Sequence, residues 1–151
     1  MEGRGWRLEA RGGGGWRLKL TAYVFPFGKL DVYQMALDLA DYVLAVLEGF
    51  QPNKHLRLLS QMEAAVTSPA QNIAEGKGRQ YKKEFIQFLH IAQGSLYEVV
   101  TLTEVFKRRG LFTQQETTNI RGRCEAIDRK LNGLINSLKG QKKPAISQDI
   151  A

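Results

Sequence analysis

The feature that most constrains this chain is an apolar seam, stepping alternately by three and four residues, that recurs in four separate segments. In residues 29–48 one seam runs Leu30, Tyr33, Leu37, Ala40, Leu44, Leu47, and a second runs Val32, Ala36, Leu39, Val43, Val46. Such steps return to one face of an α-helix, whereas a strand would need steps of two. At about 100° per residue the two seams lie roughly 100° apart and make about half of the helix circumference apolar. Asp31, Gln34, Asp38, Asp41 and Glu48 fill the opposite side. A helix packing only within a monomeric bundle needs a stripe little wider than ~100°. The extra width points to a second buried surface, such as a subunit contact.

Three more segments repeat the pattern. Gly49 to Pro52 break the first helix. The second is expected over residues 53–76, with Asn53 as N-cap, Gly76 as C-terminal glycine and the seam Leu59, Met62, Val66, Pro69, Ile73. Pro69 removes the hydrogen bond to the Ala65 carbonyl and should kink the helix. The alternative is that Ser68 caps a fresh helix with Pro69 at its first position; the seam keeps its phase across the proline, which favours the kink. The third helix, residues 81–109, carries Phe85, Phe88, Ala92, Leu96, Val99, Leu102 and Phe106. Ala92, Gly94 and Ser95 are small enough to let another helix come close. Gly110 ends this helix. The fourth, residues 114–139, opens on the capping box Thr113-Gln114-Gln115-Glu116 and has the seam Ile120, Cys124, Ile127, Leu131, Leu134, Leu138. Four such helices on short loops define an all-α fold: an antiparallel up-down-up-down four-helix bundle over residues 26–140.

The flanks differ. Gly5-Trp6-Arg7-Leu8 recurs as Gly15-Trp16-Arg17-Leu18, each copy alternating apolar and polar residues, with Gly12 to Gly15 between them. Residues 1–25 thus read as a basic, glycine-rich arm that is either a hairpin or disordered, since an isolated hairpin is marginal in water. A downstream start, for example at Val24 from an alternative codon, is a third reading. Residues 141–151, with Lys142-Lys143-Pro144, read as a disordered tail. Cys124 is the sole cysteine, so no intramolecular disulfide can form, which fits a reducing cytosol. No apolar run approaches the ~20 residues of a membrane helix, and the N-terminus has no signal-peptide core. The expectation is a cytoplasmic protein without a membrane partner.

The net charge of +7 favours anionic partners. Antiparallel packing assigns the charges to ends. The end bearing both flanks collects Lys29, Lys77, Arg79, Lys82, Lys83 and Lys139; the other collects Lys54, Arg57, Lys107, Arg108 and Arg109. Lys77, Arg79, Lys82 and Lys83 converge near the start of the third helix, a natural anion site. Gly76-Lys77-Gly78-Arg79 is neither a Walker sequence nor a dinucleotide fingerprint, and a helix stop with a tight turn accounts for it better than a phosphate cradle does. Catalytic chemistry has no visible basis. His55 and His90 lack partners at metal-ligand spacing, no Glu-x-x-His occurs, Ser68 has no base within its helix, and Cys124 sits on a core seam. Neither a cofactor nor a metal site is expected. Phe85, Phe88 and Phe106 belong to the core, while Tyr81, Tyr97 and Trp6 or Trp16 are the better candidates for stacking on a base.

The run from Ala64 to Arg79, including Asn72-Ile73-Ala74-Glu75-Gly76, resembles the hallmark segment of the bacterial four-helix bundle proteins, also described as 23S rRNA intervening-sequence proteins. Lys82 to Leu89, Gly94 to Glu98, Leu30 to Gln34 and Leu131 to Ile135 continue the likeness, which covers roughly residues 27–139. Many members have one residue between the serine and the proline; here Ser68 and Pro69 are adjacent. The family is similar to the accessory variability determinant of diversity-generating retroelements, a pentameric barrel that binds RNA and a reverse transcriptase through basic surfaces. The resemblance implies a homopentamer and a role with RNA or an RNA–protein complex, not catalysis. The expected function is that of a non-enzymatic, oligomeric, basic RNA-binding bundle, with Lys77, Arg79, Lys82, Lys83, Lys107, Arg108 and Arg109 as the contact residues. The alternative is a protein-interaction scaffold, such as an accessory subunit of a retroelement reverse transcriptase.

Overall fold

The four periodic segments form four helices: α1 (Asp31–Glu48), α2 (Leu56–Lys77), α3 (Lys82–Arg108) and α4 (Gln114–Leu138). They were located in a computed structural model that describes residues 3–140. α2 packs on α1 and α3, and α4 on α3 and α1, with no diagonal contact among the described residues. This is the square of an antiparallel four-helix bundle. Two neighbours per helix explain the breadth of α1. Val32, Ala36, Leu39, Ala40, Val43 and Leu47 are buried, and Leu30, Tyr33, Leu44 and Val46 pack partly buried against them. Both seams of α1 are therefore used largely inside the monomer, and Leu37 alone of them is left exposed, at 39%.

The helix ends show local chemistry at work. At α4 the Thr113 hydroxyl accepts from the Glu116 N–H and the Glu116 carboxylate accepts from the Thr113 N–H, both at 3.1 Å, which is the anticipated capping box. α3 ends at Gly110, whose φ of +70° suits glycine. Leu111 N–H reaches back to the Phe106 carbonyl at 2.8 Å and Gly110 N–H to that of Lys107 at 3.0 Å, a Schellman closure. Phe106 then stacks on Phe112 and Phe50, with centroids 4.5 and 6.1 Å away, and closes this end of the core.

Several expectations need correction. Asn53 does not cap α2: the helix starts three residues later, after His55 in a left-handed conformation (φ 60°) with no side-chain cap. Gly76 is not a terminal glycine but a buried residue inside α2, where an added Cβ would lie 2.6 Å from Phe88 Cβ. Its lack of a side chain serves close packing of α2 on α3. Gly94 does the reverse of what its size suggested, lying exposed where an added methyl would meet nothing within 4 Å. In α3, Leu89 and Thr103 are fully buried in place of Phe88 and Leu102, so the seam steps strictly by four and three from Phe85 to Phe106. The Thr103 hydroxyl donates to the Val99 carbonyl at 2.7 Å, which satisfies it in the core. α2 runs unbroken through Pro69, so Ser68 starts no new helix. Ser68 instead meets Ser95 of α3 at 2.7 Å and accepts from Asn72 at 3.0 Å.

Ahead of the bundle, β1 (Gly3–Arg11) and β2 (Gly15–Tyr23) pair antiparallel, joined through Gly13 and Gly14 at positive φ. The register sets Trp6 opposite Leu20, Leu8 opposite Leu18 and Ala10 opposite Trp16. Apolar alternation positions thus match across the hairpin. Among the described residues the hairpin packs on none of the helices, and Leu8 and Trp16 are exposed. A 3₁₀ turn, Pro26–Lys29, leads into α1, which is why that helix begins at Asp31 rather than at Lys29. The tail at residues 141–151 lies outside the described residues.

Candidate functional site

The seven cations singled out in the sequence fall into two groups at opposite ends of the bundle. Lys77 and Arg79 lie at the end of α2 and just beyond it, and Lys82 and Lys83 open α3. Lys107, Arg108 and Arg109 close α3, about 40 Å away at 1.5 Å per residue. No single compact site contains all seven.

Within the first group the side chains are not equivalent. Arg79 pairs with Glu75 at 2.8 Å and its guanidinium lies 4.7 Å from the Phe88 ring centre. Lys77 places its ammonium 5.7 Å over the Phe85 ring. Both cations are occupied in closing the α2–α3 turn. The backbone is occupied too: Gly78 N–H bonds to the Ala74 and Glu75 carbonyls and Arg79 N–H to that of Gly76. The Gly-Lys-Gly-Arg run is a helix stop with no amide cradle left for a phosphate. Lys82 and Lys83 differ. Both are exposed and neither forms an ion pair among the described residues. They sit in the first turn of α3, whose N-cap residue Tyr81 provides no side-chain cap. Two cations over an uncapped helix N-terminus form the more open anion-binding feature.

In the second group Arg108 pairs with Glu104 at 3.1 Å, and that contact, helped by the nearby Lys107, Arg108 and Arg121, holds the Glu104 carboxyl below its ordinary range. Lys107 and Arg109 are exposed without such a pairing among the described residues. Arg121, on α4, joins this group and was missed. Its proximity to Glu104 depends on the α3–α4 register, which a one-dimensional pattern does not display.

A polar network on the α3–α4 side was also missed. Buried Gln93 donates to Asp128 Oδ1 at 3.0 Å and to Asn132 at 2.8 Å, and its own oxygen meets His90 Nδ1 at 3.0 Å. Tyr97 donates to the same Asp128 oxygen at 3.3 Å. The Asp128 charge and this bond raise the Tyr97 pKa, keeping the phenol a neutral donor. His90 is thus an exposed residue tied to this network through Nδ1. Cys124 is buried in the core, and burial pushes its thiol up to about 12. No group of three or more His, Cys, Asp or Glu capable of holding a metal occurs among the described residues, and none of their helices is long and apolar enough to cross a membrane.

The fold and its surface define a small antiparallel helical bundle with cations gathered at both ends. Residues 28–133 match the model of the 23S rRNA-intervening sequence protein family, and the chain belongs to that family. The hairpin lies outside the match. Among solved structures the chain is similar to a protein of unknown function from the S23 ribosomal protein family of Bacteroides thetaiotaomicron. The two are 24% identical with a TM-score of 0.64, over 69% of this chain and 97% of that one, which is a likeness of fold. A comparison with curated proteins returns no match.

Proposed function

We propose that this protein is a non-enzymatic, oligomeric bundle that binds structured RNA through its basic ends. The observation that carries the reading is that Lys82, Lys83, Lys107 and Arg109 stand exposed without carboxylate partners among the described residues. Unpaired surface cations are free to replace the counterions of a phosphate backbone, and binding of that kind is steep in salt and weak in sequence preference. The family's description as 23S rRNA-intervening sequence proteins makes a 23S rRNA helix the natural first probe. Two ends about 40 Å apart suit an extended or multivalent RNA contact, and ring symmetry would multiply weak single sites.

The test follows from the unequal roles of the first group. Filter binding of a 23S rRNA fragment is measured for K77Q/R79Q/K82Q/K83Q and for K82Q/K83Q. The double variant is expected to reproduce most of the loss seen in the quadruple one, and to lower the salt slope by about one per phosphate contact removed. Unchanged affinity in the quadruple variant would sink the RNA reading and leave a protein partner, such as a reverse transcriptase served by an accessory subunit, as the reading to pursue.

A further inference from the structure

α3 and α4 leave a groove between them that starts at the basic end carrying Lys107 and Arg121 and reaches beyond it. Near the close of α3 it forms a hollow of about 350 Å³ bordered by Lys107, Gln114, Thr118, Arg121 and Glu125. It continues toward the middle of the bundle as a second hollow of about 320 Å³, with Leu96, Val100 and Cys124 as its floor and Tyr97, Glu125 and Asp128 on its walls. Glu125 belongs to both. Each lies at the lower end of the ~300–1,000 Å³ typical of small-ligand sites.

The chemistry changes along the groove. At one end are two cations from different helices, Lys107 and Arg121, neither in an ion pair among the described residues. In the middle an apolar floor lies beside Tyr97, which is 56% exposed yet fixed by its hydroxyl to Asp128. Asp128 is itself held by buried Gln93, and its second oxygen, Oδ2, takes no hydrogen bond from the described residues. Glu125 is engaged only loosely, by Arg129 at 3.6 Å. Arg121 and Asp128 are seven residues apart on α4, about 10 Å along the helix, which is the reach of a nucleotide from phosphate to base edge.

We propose that the α3–α4 groove seats one unpaired nucleotide of a bound RNA, with its phosphate on Lys107 and Arg121 and its base against Tyr97 over the apolar floor. The Asp128 and Glu125 carboxylates then accept from the exocyclic amine of the base. Two carboxylates repel a bare backbone and have nothing to accept from a uracil edge except its ring N–H. The seat therefore favours the bases that carry an exocyclic amine, adenine, cytosine and guanine, over uracil, whereas the lysines at the start of α3 select nothing. This inference rests on the RNA-binding reading and adds to it a place where unpaired bases are told apart. Stacking on a tyrosine is available to any base, so the tyrosine supplies affinity and the carboxylates supply preference.

The test uses the full chain and fluorescence anisotropy with labelled oligoadenylate, oligocytidylate and oligouridylate of one length. The wild type should favour the first two. Y97A should lose roughly tenfold on oligoadenylate, about 1.4 kcal/mol, while Y97F, which keeps the ring, should retain most of the binding. D128N and E125Q should abolish the preference without weakening oligouridylate. K107Q/R121Q should weaken all three. K82Q/K83Q should leave the preference intact while weakening the structured 23S fragment. Equal affinity of the wild type for all three oligomers, or a preference that survives both Y97A and D128N, overturns the seat while leaving the end-cluster reading standing. Failure of the wild type to bind any RNA overturns both.

Discussion

Gly76 and Gly94 lie on helices that face one another, and the same residue type has opposite consequences at the two positions. A methyl at Gly76 would meet Phe88 Cβ at 2.6 Å and the Phe85 ring at 3.0 Å, while one at Gly94 would meet nothing within 4 Å. G76A is therefore expected to cost about 1–3 kcal/mol through overpacking. G94A is expected to gain about 0.5–1 kcal/mol, because alanine loses less backbone entropy in a helix. Thermal melts of the two variants should move in opposite directions by a few degrees; a destabilising G94A would mean that its open surface is covered in solution. Cys124 offers a pH readout. Its thiol, near 9.0 in an open chain, is pushed up to about 12 by burial. The folded state thus holds a proton that the unfolded state releases, and the thiol's contribution to stability is complete below about pH 9 and falls from there toward pH 12. At neutral pH the native protein should resist alkylation and react at once after denaturation; fast native labelling would contradict the burial.

At the scale of elements, much was legible because each helix had to bury one stripe, and a stripe leaves a period in the sequence. The α4 start was readable to the residue, since Thr113 and Glu116 form a reciprocal pair that needs no tertiary partner. T113A should cost about 1 kcal/mol, read from chemical denaturation, and E116Q less, because glutamine can still accept from the Thr113 N–H. The α2 start was not readable, because the residue ahead of it is His55 in a left-handed conformation without a side-chain cap, while Asn53, a good cap by type, stays outside. The α3 seam was misplaced by one position at Phe88 and Leu102. Both are apolar and partly buried, and hydrophobicity alone does not show that Leu89 and a self-satisfied Thr103 point further in. The same blindness hid the groove. Gln93, Tyr97, Asp128 and Asn132 come together only once α3 and α4 run antiparallel, so that four residues forward on α3, from Gln93 to Tyr97, is four back on α4, from Asn132 to Asp128. The basic ends needed only the helix order, and that is why they were visible from composition and loop length.

For the whole molecule, assembly depends on the apolar surface that the bundle leaves uncovered. The breadth of α1 first suggested a subunit contact, but two neighbours in the bundle use most of that breadth. What remains is local: Leu37, 39% exposed, sits with Phe27, Tyr33 and Ala40 of its own side and Thr67, Ala70, Gln71 and Ala74 of α2 around an apolar hollow of about 340 Å³. An oligomer built on α1 has this shallow groove as its available contact, and a charge placed there would be buried unpaired in the assembly yet solvated in the free chain. Light scattering after size exclusion is therefore expected to give a mass of several chains, near five if the pentamer holds, with co-purifying nucleic acid shed at high salt. L37K should reduce that mass to a single chain while helical circular dichroism is kept. A wild type that runs as a single chain would mean that the apolar face of α1 is satisfied within the bundle. RNA affinity would then have to come from one copy of each basic end, without the multiplication a ring supplies.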